Sequence, residues 1–158
     1  MHFPDLCRYS GCMISRRKAR EAVLQALYQC DALKDWSFEC ADLYFSHFQQ
    51  EALVSEDPVI RDNFSYAETV CKGIIEKLSL IDSAISSASE RWSVNRMSQV
   101  DRNIIRISTY EILFCEDIPV KVSINEAIEI AKRYGTKDTS VFVNGILDKV
   151  ATSVSKDK

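Results

Sequence analysis

From Phe64 to Ala88 the apolar residues fall at alternating steps of three and four: Phe64, Ala67, Cys71, Ile74, Leu78, Ile81, Ile85 and Ala88. That spacing lines one face of an α-helix and does not suit the two-residue repeat of a strand. It is the seam found in coiled coils. In a chain of 158 residues it is expected to pack inside its own helical bundle rather than against another chain. Only four Gly and three Pro interrupt the sequence, which favours long helices over a turn-rich β protein.

A second stretch agrees at every local signal. In 123–135, Ser123 and Glu126 have the spacing of a capping box, which would start a helix at about 124. Ile124, Ala127, Ile128 and Ala131 give it an apolar face, and Glu129 can pair with Lys132 or Arg133. Gly135 then stands where a left-handed terminating residue is wanted. Asp138 or Thr139 can cap a last helix over about 139–153.

The remaining elements follow from the same rules. Residues 1–14 read as an irregular extension, in which Met13 is a candidate start of the native chain; N-terminal sequencing would settle that start. Ser15 opens a first helix with Ala19, Val23, Ala26, Leu27 and Cys30 as its stripe. A second helix is expected over about 37–52, then a loop over 55–63 containing Pro58, then the seam helix. The serine-rich stretch 79–93 is the expected hinge. After it come a short helical segment at about 90–97, with Trp92 as a core anchor, and a helix opened by Asp101 or Asn103. That helix carries apolar residues around most of its circumference, so Arg106 within it calls for a carboxylate partner such as Glu111 or one from another helix. The prediction is an all-α protein of about seven helices in two packed small bundles. A single domain over 15–153 divides into bundles of about 15–88 and 89–153, with a tail at 154–158.

Charge is unevenly distributed. Residues 1–20 carry Arg8, Arg16, Arg17, Lys18 and Arg20 against Asp5, while 31–71 carry nine acids against two bases, in a chain of net charge −3. A localised basic pole suggests a localised anionic partner rather than generic coating of duplex DNA. The cations at 16–20 crowd a helix N-terminus, where the macrodipole opposes them. Two readings are open: a solvated, frayed turn, or an arginine-rich strip that phosphates bind and order. Cys30, Cys40, Cys71 and Cys115 read as reduced, mostly buried thiols of a cytosolic protein, and the six cysteines include no zinc-type pair. His2 and His47 lack ligand neighbours, so no metal and no cofactor is expected. No apolar run approaches a membrane span. There is no glycine-rich phosphate loop and no recognisable triad, so no catalytic residue is expected.

Four motifs in order carry a resemblance: S-R-R-K-A-R-E-A-V-L-Q-A-L-Y-Q, V-D-R-N-I-I-R-I-S-T-Y-E-I-L, I-N-E-A-I-E-I-A-K-R-Y-G and F-V-N-G-I-L-D-K. Together they span about 15–152, and the chain resembles the NusB family of bacterial transcription antitermination factors. The acidic middle, 31–62, matches least. The resemblance implies two three-helix-type bundles and a non-enzymatic role. It implies partnership with NusE, also a small-subunit ribosomal protein, binding to single-stranded boxA RNA of nascent ribosomal transcripts, and loading of an antitermination complex on RNA polymerase.

By the same resemblance the family's basic strip falls on Arg16, Arg17, Lys18 and Arg20, which would meet phosphates. Lys18 stands where arginine is common, which removes the bidentate fork there. Tyr28 lies on the same helix, toward the RNA side. Phe142 is the candidate for stacking on an unpaired base, or else a core aromatic. Asp138 is a cap, or it borders the RNA surface and tunes affinity by repulsion; Asp101 is a NusE contact, or an N-cap. Asn144 and Gly145 are assigned to close helix packing.

Two rival classes stand beside this reading. NusB-like domains also occur fused to RNA methyltransferases, but 158 residues leave no room for a cofactor domain of the usual size. A helical protein-interaction adaptor would leave the basic strip merely solvated. Monomer and homodimer are both permitted, and the sequence is silent on whether RNA binding needs NusE.

Overall fold

The structure, a computed structural model, describes residues 13–156. The remainder of the N-terminal extension, with Cys7 and Cys12, and the last two residues of the tail lie outside the described residues. The described chain is helical, in two compact units that divide between Ile75 and Glu76. The boundary expected from sequence, at about 88, lies one helix further on.

The first unit holds α1 (Arg16–Leu33), α2 (Phe38–Val54) and α3 (Pro58–Glu76), whose last residue crosses the boundary. Ser15 caps α1 as expected, its hydroxyl accepting the Lys18 N–H at 3.1 Å. The helix ends at Lys34, whose left-handed backbone (φ 53°) lets the next amide, of Asp35, reach the Cys30 carbonyl. Ten of the eighteen residues of α1 are buried, including Ala22, Leu24, Leu27 and Cys30, a wider face than the stripe the sequence suggests. Cys40 accompanies α2 into the core, and Phe45 sits edge-on to both Tyr44 and Phe64.

The loop expected over 55–63 is only 55–57, because Pro58 is the first helical residue rather than a breaker. Proline has no N–H to lose there, and Asp57 caps the turn by accepting the Val59 N–H at 2.9 Å.

The seam from Phe64 to Ala88 is real but serves two helices. Lys77 leaves helical backbone (φ −107°, ψ 19°), ending α3 and starting α4 (Leu78–Ala88). Phe64, Ala67, Cys71 and Ile74 are buried on α3; Ile81, Ile85 and Ala88 are buried on α4. No glycine or proline marks the break. Its tertiary signature is the Lys77 ammonium, 5.2 Å from the centre of the Phe114 ring.

The second unit continues with a 3₁₀ turn at Val94–Arg96, then α5 (Gln99–Phe114), α6 (Val120–Tyr134) and α7 (Thr139–Lys156). These last three helices pack mutually, and α4 lies against α5 and α7. The expected segment at 90–97 is reduced to that 3₁₀ turn, and Trp92 is 50% exposed, not a core anchor. Ser98, rather than Asp101 or Asn103, caps α5, accepting the Asp101 N–H at 3.0 Å. Arg106 is buried as expected and finds its carboxylate on another helix, donating to Asp82 of α4 at 2.8 and 2.9 Å.

The capping box at Ser123 does not form. α6 starts one turn earlier, at Val120 behind Pro119, whose fixed φ presets the entrance. Ser123 is therefore inside the helix and buried, where its hydroxyl donates to Glu111 at 2.6 Å and meets the Ser108 hydroxyl at 2.8 Å. Gly135 is not left-handed either (φ −92°, ψ −175°). Its lack of a side chain answers a close approach: a Cβ there would lie 2.5 Å from the Thr139 side chain. Among the described residues no helix is long and apolar enough to cross a membrane.

Candidate nucleic-acid interface

The sequence-derived site residues fall on both units.

In the first unit the cations occupy the opening turns of α1. Arg17 is exposed, while Arg16 and Lys18 are half-buried. Arg16 donates to Asp62 of α3 at 2.8 Å, and its guanidinium carbon stands 4.2 Å from the centre of the Tyr66 ring. Lys18 pairs with Glu21 at 3.2 Å, a carboxylate that is itself buried. Arg20 is only 4% exposed and lies 5.5 Å from the Tyr66 ring. The strip is thus graded: Arg17 is open to solvent, Arg16 is held against α3, and Arg20 lies beneath. The N-terminal amides of a helix attract anions, and here three cationic side chains stand beside them.

Tyr28 is eleven residues, three turns, beyond Arg17 and so shares its face about 16 Å along the axis. Between them Glu21 and Leu24 are buried, so the exposed surface is not continuous along α1. The structure brings Arg16, Arg17, Lys18 and Arg20 together and leaves Tyr28 apart.

Sequence reading missed Asp62 and Tyr66, because it placed Asp62 in a loop and gave Tyr66 no role. The available signal was Ser55-x-Asp57-Pro58, a capped helix start with proline at the first position. Taken that way, Asp62 and Tyr66 fall four residues apart on one face of α3.

In the second unit Phe142, Asp138 and Asp101 line one open groove of about 260 Å³, together with Trp92, Arg96 and Thr136. Phe142, on the first turn of α7, is half-buried, while Asp138 is exposed. Asp101 accepts a hydrogen bond from Thr139 Oγ1 at 3.1 Å, and the same oxygen accepts from the Thr136 N–H at 2.9 Å. These bonds tie the start of α5 to the start of α7. Asp101 thus lies in the first turn of its helix without being the cap. The groove offers two aromatic faces and two carboxylates, suited to a flat ring carrying N–H donors.

The sequence suggests close packing at Gly145, but a Cβ there would meet nothing within 4 Å. Helix packing does not require glycine at that position. Among the described residues no cluster of His, Cys, Asp and Glu could hold a metal ion.

Known proteins resemble this chain over most of its length. The sequence model of the NusB family matches residues 17–152. The "Transcription antitermination protein NusB" of Thermodesulfovibrio yellowstonii is 41% identical over 143 residues, covering 87% of this chain and 92% of that protein. The crystal form of T. maritima NusB superposes with a TM-score of 0.71 at 44% identity, covering 87% of this chain and 91% of that one. A solved complex of the antitermination factors NusB and NusE with double-stranded RNA contains a chain of the same fold, with a TM-score of 0.72 at 21% identity, covering 87% of this chain and 96% of that chain.

Proposed function

The chain belongs to the NusB family, and from that premise we propose that it is a non-enzymatic, RNA-binding transcription antitermination factor. It forms a heterodimer with NusE, binds single-stranded boxA RNA of nascent ribosomal transcripts, and supports assembly of the antitermination complex on RNA polymerase. Acting on nascent transcripts puts it in the bacterial cytoplasm.

The observation that carries the reading is the charge at the opening of α1. A chain of net charge −3 places Arg16, Arg17, Lys18 and Arg20 at a helix N-terminus, against the macrodipole. A phosphate there would meet cations and helix amides together. That the NusB chain in the solved RNA complex shares this fold is consistent with the reading. Arg16, Arg17 and Lys18 supply phosphate contacts and hence salt dependence, with Arg20 supporting them from beneath. Tyr28, three turns further along α1 and apart from the strip, makes a separate contact with the RNA. Phe142 stacks on an unpaired base, Asp138 borders the RNA, and Asp101 faces the basic NusE.

One observation favours the adaptor: Arg16 and Lys18 are paired within the chain, as expected of a merely structural strip. Replacing Arg16 and Arg17 with alanine separates the two. Anisotropy of a labelled boxA RNA, with NusE present, should show weaker binding and a salt slope shallower by about 1.4, at about 0.7 per lost phosphate contact. Unchanged binding would favour the adaptor. Sedimentation of the same samples distinguishes monomer, homodimer and heterodimer.

A further inference from the structure

The surroundings of Arg16 carry one step more, which rests on the RNA-binding reading above. Its guanidinium is bonded to a carboxylate, Asp62, and stacked over an aromatic ring, Tyr66, both from one face of α3. An arginine held over a ring, with an anionic oxygen bonded to its guanidinium, is placed as an arginine that grips a phosphate is placed. Here the oxygen belongs to a side chain that is 70% exposed, so water and a competing anion both reach it. Such surface pairs are weak and exchangeable.

We propose that Asp62 is an intramolecular stand-in for an RNA phosphate and that Tyr66 is the positioning residue of the strip. On binding, a backbone phosphate replaces Asp62 on Arg16, while Tyr66 keeps the guanidinium in plane. The RNA-free chain thereby holds its arginine ready, at the cost of one competitor. The exchange is with phosphate and carries no sequence preference of its own.

The test uses the full chain with NusE and two short labelled single-stranded RNAs, boxA-like and scrambled, over a range of salt. Asp62→Asn, a surface change of the same shape, is expected to tighten binding roughly two- to five-fold at low salt. It should also steepen the salt slope by about 0.7, because Arg16 then carries a counterion to release. In an Arg16→Ala background the same substitution should leave the slope unchanged. Tyr66→Phe should keep wild-type affinity, and Tyr66→Leu should lose a few-fold.

Wild-type binding that Arg16→Ala weakens but Asp62→Asn leaves unaltered in strength and slope would overturn the stand-in and spare the RNA-binding reading. Wild-type binding indifferent to Arg16→Ala would overturn it too. Equal wild-type binding of the boxA-like and scrambled RNAs would sink the boxA reading and leave this inference to the Asp62→Asn result, whereas no binding of either RNA would sink both.

Discussion

Arg106 and Asp82 form a pair whose two halves are unequally buried, and removing one should not cost the same as removing the other. Arg106 Nε and Nη2 donate to the two oxygens of Asp82 at 2.8 and 2.9 Å, and Nη1 donates to Asn103 at 3.0 Å. The Arg106 side chain is 5% exposed and that of Asp82 is 29% exposed. Asp82→Ala leaves a buried guanidinium without its carboxylate, a loss that in comparable pairs costs 3–5 kcal/mol. The retained Asn103 contact puts the expected cost near the lower end, about 3 kcal/mol. Arg106→Met removes the buried charge and fills similar volume, leaving a carboxylate that water can reach. About 1 kcal/mol is expected. Urea unfolding followed by far-UV circular dichroism measures both, with the m-value checking that the unfolding transition is unchanged in kind. Arg106→Met as costly as Asp82→Ala would refute the reasoning, since the cost would then lie in lost packing rather than in a stranded charge.

Further consequences concern single positions. Ser123→Ala removes the 2.6 Å donor to the fully buried Glu111 and should cost about 1.5–3 kcal/mol, read as a fall in Tm. Gly135→Ala drives a Cβ to within 2.5 Å of Thr139 and should destabilise by about 1–3 kcal/mol, whereas Gly145→Ala meets nothing and should stabilise by about 0.5–1 kcal/mol; paired melts compare them. Burial, with the neighbouring Cys40 thiol, pushes the Cys30 thiol up to about 12, and burial raises Cys71 from the same ordinary value of 9.0. Mass spectrometry after iodoacetamide at mildly alkaline pH should find, among the cysteines of the described residues, Cys115 modified first and these two only on unfolding. Since the folded chain keeps protons that the unfolded chain releases above about pH 9, the stability linked to these thiols should be level below that pH and decline above it.

The fold was legible where burial and periodicity coincide. The seam residues of α3 and α4 are buried as their spacing demands, except Leu78, which is half-buried at the start of α4, and Ser15 caps α1 through the hydrogen bond its side chain predicts. Periodicity carries no information about continuity, however. The break at Lys77 preserves the three-and-four register, so a single helix and two helices share one pattern. The Ser123 box failed because a local motif competed with Pro119 and with a buried partner, Glu111, that only tertiary packing supplies. The basic strip was legible as charge, but its organisation was not. Whether Arg16 is free or held depends on Asp62 and Tyr66, about fifty residues away in sequence. Trp92 illustrates the converse: a large apolar residue was assigned to the core, and it lines a groove instead.

The central claim is that this chain recognises boxA RNA together with NusE. Its most direct test is the affinity for boxA-like and scrambled single-stranded RNA, measured side by side by fluorescence anisotropy, with and without NusE, at two salt concentrations. Tighter binding of boxA RNA that strengthens with NusE and falls with salt is the expected result. Equal affinity for both RNAs with NusE present would contradict it, leaving a helical adaptor whose cations serve only its own fold.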